Sequence, residues 1–225
     1  MSELVYVNEV PARTPNRLRG ISLDEILTDA MNMALAFVAL VFLSPLMVAA
    51  ALAVYLQDGG PALFAHRRIG RSGRYFYCLK FRSMAVDAEQ RLAGLLANDP
   101  IARAEWEKDH KLRKDPRVTR LGDFLRRTSL DELPQLFNVL RGEMSLVGPR
   151  PIVDAEVPKY GRRFQSYCAV KPGITGLWQV SGRNDTTYRV RVAMDCLYAR
   201  QRSVVMDGFI IAATLPAVLM RRGSY

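Results

Sequence analysis

Asp131 and Glu132 stand side by side in Ser129-Leu-Asp-Glu-Leu-Pro134, with Arg126 and Arg127 just upstream and Arg150 downstream between Pro149 and Pro151. Adjacent carboxylates in the company of arginines point to phosphate chemistry, because a planar guanidinium can bind two phosphate oxygens at once. The proline after Arg150 forces it into an extended conformation, which suits a fixed phosphate contact.

The elements around the pair follow from the same residues. Leu133, Leu136, Phe137 and Leu140 have the i, i+3, i+4, i+7 spacing of one buried helical face, and Asp131, Gln135 and Asn138 fall off it. Pro134 is tolerated only in a first turn, so the helix starts near Asp131, whose carboxylate then sits at the positive end of the dipole and is expected to be ionised at neutral pH. Ser129 and Glu132 also fit S-x-x-E, the capping box of many helix starts that do no chemistry, and on this pattern alone that reading stays open. Upstream, residues 75–84 alternate as a strand, with Tyr75, Tyr77, Leu79 and Phe81 as the expected apolar face. Lys80 and Arg82 share the other face, as phosphate ligands or as a solvated surface. Residues 85–97 and 101–111 read as polar helices separated by the turn Asn98-Asp-Pro100, and 114–119 as a loop. Residues 171–184 read as loop, strand and loop, with Trp178 as a stacking surface or a core residue and Arg183 as a further phosphate ligand.

The 225 residues suit one domain of ordinary size with peripheral elements. Thirty-two Lys and Arg against 22 Asp and Glu give +10 and imply an acidic partner: nucleic acid, an anionic membrane face or a phosphorylated substrate. Three widely spaced cysteines without C-x-x-C, and only two histidines, argue against a disulfide framework and a zinc site.

No residue between Asp29 and Asp58 is charged. As one straight helix the 28 residues from Ala30 to Gln57 would reach roughly 42 Å, enough to cross a bilayer, but Ser44-Pro45 lies near the centre and neither half could cross alone. Arg13, Arg17 and Arg19 precede the segment, and six Lys or Arg with no acid follow it from Gly59 to Val86, so both flanks read as cytoplasmic. A re-entrant hairpin broken at Ser44-Pro45 satisfies both flanks, with Ser44 or neighbouring protein supplying a partner for carbonyls freed by Pro45. A kinked span and a buried core helix are the alternatives. The apolar residues 208–220, interrupted by Pro216, suit an interfacial helix or a helix packed on the domain. The expected organisation is therefore a poorly ordered arm over 1–23, a membrane segment over 24–58 and a domain over 59–225. The fold class is mixed, helix-rich α/β, with an N-terminal re-entrant helical hairpin and interfacial amphipathic helices.

Seven ordered elements together are more specific than any one of them. They are Ser44-Pro45 within its apolar segment, His66-Arg-Arg-Ile-Gly70, Leu79-Lys-Phe-Arg-Ser-Met84, Lys114-Asp-Pro-Arg117, Ser129-Leu-Asp-Glu-Leu-Pro134, Gly148-Pro-Arg-Pro151 and Gly176-Leu-Trp-Gln-Val-Ser-Gly-Arg183. In these the chain resembles the bacterial sugar transferases, small membrane phosphoglycosyl transferases, and most of all their short exopolysaccharide-initiating members. The resemblance implies transfer of a sugar 1-phosphate from a UDP-sugar to undecaprenyl phosphate, with release of UMP, on the cytoplasmic face of the bacterial inner membrane. It implies Asp131 as nucleophile through a covalent aspartyl phosphosugar, Glu132 as ligand to Mg²⁺, and Arg126 and Arg150 as phosphate ligands. Galactose and glucose are the favoured sugars. Membrane lipids are implied partners, nucleic acid is not, and a homo-oligomer is compatible with the sequence. The competing readings are a basic binding protein without catalysis, a sugar transferase that leaves UDP behind, for which there is no Asp-x-Asp motif, and a nucleotide-sugar hydrolase.

Overall fold

The computed structural model describes residues 23–109, 112, 114–181 and 186–219. The expected arm, with Arg13, Arg17 and Arg19, lies outside the described residues except for Leu23 at its end.

The apolar segment forms α1, Leu23–Asp58, one helix that continues through Pro45 instead of separating into two. Proline cannot donate to the carbonyl four residues back, which is Val41 O. The hydroxyl of Ser44 donates to that carbonyl at 2.8 Å, so the orphaned acceptor is satisfied within the helix. Thr28, Asn32, Ala36, Met47, Ala50 and Val54 are buried along one side of α1. Between Ala36 and Met47 no residue is fully buried. Val38, Val41, Phe42, Val48 and Leu56 are exposed on the outer side, so α1 is not enclosed as the core helix of a soluble protein would be. By length and composition it is able to cross a membrane.

Beneath α1 lies an antiparallel hairpin, β1 (Leu63–Ile69) and β2 (Tyr75–Phe81), paired from Leu63 with Phe81 to Ile69 with Tyr75. The strand is as expected, but its faces are exchanged over its first half, while Phe81 of the expected apolar face stays buried with Met47, Ala50 and Val54. Phe76 and Cys78 are buried with Ala36, Leu136, Val139 and Met144, whereas Tyr75 and Tyr77 are more than half exposed. Both faces carry large side chains, so alternation could not choose between them, and the packing of α1 decides. Lys80, in step with Phe76 and Cys78, consequently turns inward.

The polar pair α2 (Ala88–Asn98) and α3 (Pro100–Asp109) follows as expected, then α4 (Arg120–Arg127), a 3₁₀ turn over Leu130–Glu132 and α5 (Gln135–Leu140). A short parallel pair, β3 (Ser145–Val147) with β4 (Gly173–Thr175), brackets α6 (Val157–Tyr160) and α7 (Phe164–Cys168). The chain ends on α8 (Leu177–Ser181), α9 (Tyr188–Gln201) and α10 (Val204–Leu219). The strand expected within 171–184 is β4, but Trp178 lies in the helix that follows, a core residue with Arg191 over its ring. Helix α10 packs Ile210 against Val147, Val170 and Tyr198, while Val205 and Phe209 stay exposed.

Helix α5 turns its buried side differently from the expected leucine stripe. Gln135, Leu136, Asn138 and Val139 are buried and Phe137 is partly exposed. Asn138 is the reason. Its amide donates to Tyr77 O at 2.8 Å and Glu143 Oε2 at 2.6 Å, and its oxygen accepts from Leu79 N at 3.0 Å. A polar side chain off the apolar stripe thus fastens α5 to β2. Replacing it leaves several buried groups without partners. Asn138→Leu is expected to lose about 2–3 kcal/mol of stability, read as a lowered thermal midpoint in detergent.

Candidate active site

The strand β2 and the segment 128–134 face each other across Lys80. After α4, Ser129 takes a left-handed conformation with φ of 58°, uncommon for a residue with a Cβ, and the chain turns sharply into Leu130–Glu132. Its side chain makes no cap hydrogen bond, so the capping-box reading of Ser129 and Glu132 does not hold. The α-helix begins only at Gln135, and Asp131 lies in the 3₁₀ turn before it.

Asp131 is 8% exposed. Lys80 Nζ lies 2.5 Å from Glu132 Oε1 and 4.0 Å from Asp131 Oδ2. The two carboxyls respond differently. Burial raises Asp131 to about 6, with the neighbouring Glu132 charge adding to the rise and Lys80 and Arg126 opposing it. The expectation of a carboxylate ionised at neutral pH therefore holds, but its basis differs: Asp131 lies in the 3₁₀ turn, and burial raises it where a helix dipole would have lowered it. Burial also acts to raise Glu132, but Lys80 and Arg150, together with the Lys80 hydrogen bond, hold it below the ordinary glutamate value. At neutral pH Glu132 is a firm anion, and Asp131 is an unusually basic carboxylate that is still mostly charged.

Of the expected phosphate ligands, Lys80, Arg126 and Arg150 come to this pair. Arg126 is placed by α4, which approaches β2 closely because Gly122 lacks a side chain. A Cβ there would fall 1.9 Å from Ser83 O. One turn later Arg126 Nε donates to Ser83 Oγ at 2.8 Å. Arg150 is exposed, and its charge acts on Glu132. Its loop is tied down by Gly148 N to Thr175 O at 2.9 Å and Gly173 N to Pro149 O at 2.8 Å. Arg82 goes elsewhere: its guanidinium is committed to Asp58 at the end of α1 and to the Pro61 carbonyl. Arg127 pairs with Asp123 on the outer side of α4. Arg183 lies outside the described residues.

Arg68 is a site residue that sequence reasoning did not single out. Its side chain is 18% exposed, donates to Pro151 O at 3.2 Å and lies 3.8 Å from Glu156. Its charge also helps to hold Glu132 ionised. Beside it Ile69 N donates to Ile152 O at 3.0 Å, and the Tyr167 hydroxyl donates to Ile69 O and accepts from Ile152 N. These contacts join the end of β1 to the loop carrying Arg150. The available signal was the alternation of His66 and Arg68 on one side of a strand, the parity that β1 turns toward Cys78 and Lys80.

Two carboxylates of opposite tendency, held by one lysine and surrounded by Arg68, Arg126 and Arg150, make a site suited to phosphate beside a membrane-competent helix. Residues 23–221 match the family model described as bacterial sugar transferase, and the chain belongs to that family. It is 55% identical over 185 residues to an undecaprenyl-phosphate galactose phosphotransferase of Salmonella typhimurium, covering 80% of this chain and 39% of that protein. It is 46% identical over 196 residues to the exopolysaccharide production protein ExoY of Sinorhizobium fredii, covering 87% of each. It is 38% identical to a UDP-glucose:undecaprenyl-phosphate glucose-1-phosphate transferase of Escherichia coli, covering all of this chain and 47% of that one. The chain thus spans less than half the length of the Salmonella and E. coli relatives and most of ExoY.

Lys80→Met removes the counterion from two adjoining carboxylates. Loss of such a charge-stabilising group is expected to lower turnover about 10²–10³-fold, measured as product formed at equal amounts of folded protein.

Proposed function

We propose that the protein transfers a sugar 1-phosphate from a UDP-sugar to undecaprenyl phosphate, releasing UMP and initiating a lipid-linked glycan such as an exopolysaccharide. The observation that carries this reading is Asp131: a buried carboxyl raised to about 6, facing Lys80 and next to an ionised Glu132. Weak solvation and raised basicity make a carboxylate a better nucleophile while it remains charged at neutral pH.

An Asp131 oxygen bonds to the sugar-bearing phosphorus as the bond from that phosphorus to the bridging oxygen breaks, and UMP leaves with the electron pair. A phosphate oxygen of undecaprenyl phosphate then attacks the same phosphorus, the aspartyl bond breaks, and Asp131 is restored. Arg126 and Arg150 orient the phosphates, Lys80 neutralises the carboxylates, and Arg68 holds the Arg150 loop. The chemistry needs positioning and charge neutralisation more than proton transfer.

Mg²⁺ fits this donor set. Among the described residues no three His, Cys, Asp or Glu converge, yet Mg²⁺ is commonly held by one or two carboxylates with phosphate oxygens and water. Glu132, kept anionic, is the residue to hold it, and the ion would supply charge neutralisation at the leaving phosphate.

The same reading places the domain on the cytoplasmic face of the inner membrane, with α1 entering and leaving one leaflet. Contacts at both ends of the helix support it. Near one end of α1 Asp29 accepts from Lys171 at 2.8 Å and Arg202 at 2.6 Å, and at the other Asp58 pairs with Arg82. A helix fastened to one domain at both ends has both flanks on the same side. The stretch around Ser44-Pro45, where burial lapses, is the part free to dip into lipid. Galactose and glucose, the sugars in the relatives' names, are the first donors to assay.

Asp131→Asn is expected to abolish transfer in a folded, membrane-bound protein. UMP should form from a UDP-sugar in stoichiometry with lipid product, and radiolabelled sugar phosphate should be trapped on the wild type alone when acceptor is withheld. Full turnover by the variant would sink the nucleophile. Cysteines introduced at Leu23 and Gly59 should both be modified from the cytoplasmic side; opposite accessibility would mean that α1 crosses.

A further inference from the structure

Helix α6, the turn Gly161–Arg163 and α9 border an open cleft of about 430 Å³ that contains no residue of the Asp131 site. Lys159, Arg162, Arg163 and Arg189 line it with Tyr160 and Tyr188, and no acid is among the described lining residues. Lys159 Nζ sits 4.9 Å over the Tyr188 ring. Among the described residues the side chains of Arg162, Arg163 and Arg189 make no hydrogen bond or ion pair, and all three residues are exposed. Elsewhere on the surface Arg67, Arg91 and Arg127 each hold a carboxylate. Two acids near it among the described residues are already engaged: Glu156 accepts from Tyr188 and from Val153 N, and Asp195, 2% exposed, accepts from Tyr160 at 2.7 Å. Four cations gathered with no counterion among the described residues make a local field that an anion would relieve.

A second cleft, of about 400 Å³, shares Arg163 and Arg189 and continues along Val190, Ala193, Met194 and Leu197. These four follow the i, i+3, i+4, i+7 spacing on the outer side of α9, with Val190 40% and Leu197 43% exposed. The C-terminal end of α9 meets α1 through Arg202 and Asp29, and α10 next to it exposes Val205 and Phe209. The end of α9 thus lies beside the start of the membrane-competent helix. Cations adjoining an apolar groove match an amphiphile with a phosphate at one end.

We propose that the paired clefts bind one anionic phospholipid, its phosphate among Lys159, Arg162, Arg163 and Arg189 and an acyl chain along α9. This rests on the membrane reading above and is independent of the transfer chemistry.

The test is native mass spectrometry of the full chain in non-ionic detergent, titrated with phosphatidylglycerol or phosphatidylcholine. Wild type should bind phosphatidylglycerol at least about tenfold more tightly than phosphatidylcholine, as several charge-assisted phosphate contacts would provide. The combined Arg162→Gln, Arg163→Gln and Arg189→Gln variant should lose that preference, and the corresponding Lys variant should keep much of it. Equal binding of the two lipids by wild type, or an unchanged preference in the Gln variant, would overturn the proposal. So would full displacement of phosphatidylglycerol by inorganic phosphate, which would mark a site for a free anion. Carbonate-resistant membrane retention reports α1 separately. Wild type washing off would sink the membrane reading, whereas retention with no lipid preference would sink the clefts alone.

Discussion

Lys80 stands between two carboxylates that adjoin in sequence and would repel each other in a shielded site. It lies 2.5 Å from Glu132 and 4.0 Å from Asp131, so its compensation is unequal. Glu132 is held anionic, while burial raises Asp131 to about 6. A charged group taken out of water is costly unless paired, and here the incomplete pairing distinguishes two otherwise similar acids. Much of the fold serves to deliver these groups to one place. Strand β2 carries Lys80, Asn138 fastens α5 and the turn before it to that strand, and Gly122 lets α4 bring Arg126 alongside.

The second set of cations comes from a separate device. The β3 and β4 pair and the end of β1 hold the loop from Gly148 to Ile152, with Arg68 and Tyr167 as its main ties. Arg150 is left exposed on a fixed backbone, a disposition that suits the phosphate contact proposed for it, since it could meet substrate without first reordering. One sheet hairpin therefore provides the carboxylate counterion from β2 and the anchor for the arginine loop from β1.

Helix α1 answers to two environments. Its buried stripe packs into the same clusters as Phe76, Phe81 and Leu125, while its outer face is exposed apolar surface on a scale unusual for a protein that meets only water. Ser44 satisfies the carbonyl that Pro45 leaves unpaired, a requirement that becomes strict wherever water is absent.

The sequence alone determined the features that depend on local chemistry. Charge-free length marked α1, alternation marked β2, and the Asn98-Asp-Pro100 turn divided α2 from α3. Residue types singled out Asp131 and Glu132 with Lys80, Arg126 and Arg150, and the ordered motifs indicated the family. Tertiary structure decided what local pattern leaves degenerate. Both faces of β2 could have been apolar, and only docking against α1 and α5 turned Phe76, Cys78 and Lys80 inward. Asn138 looked like a solvent residue until its partners on β2 were in place. Arg82 and Lys80 have the same charge and parity, but the strand ends between them and Asp58 captures Arg82. The carboxyl of Asp131 is the clearest case: its sequence position indicated a carboxylate charged at neutral pH, and burial, a property of the assembled chain, leaves it mostly charged but raises it to about 6, an unusually basic carboxylate.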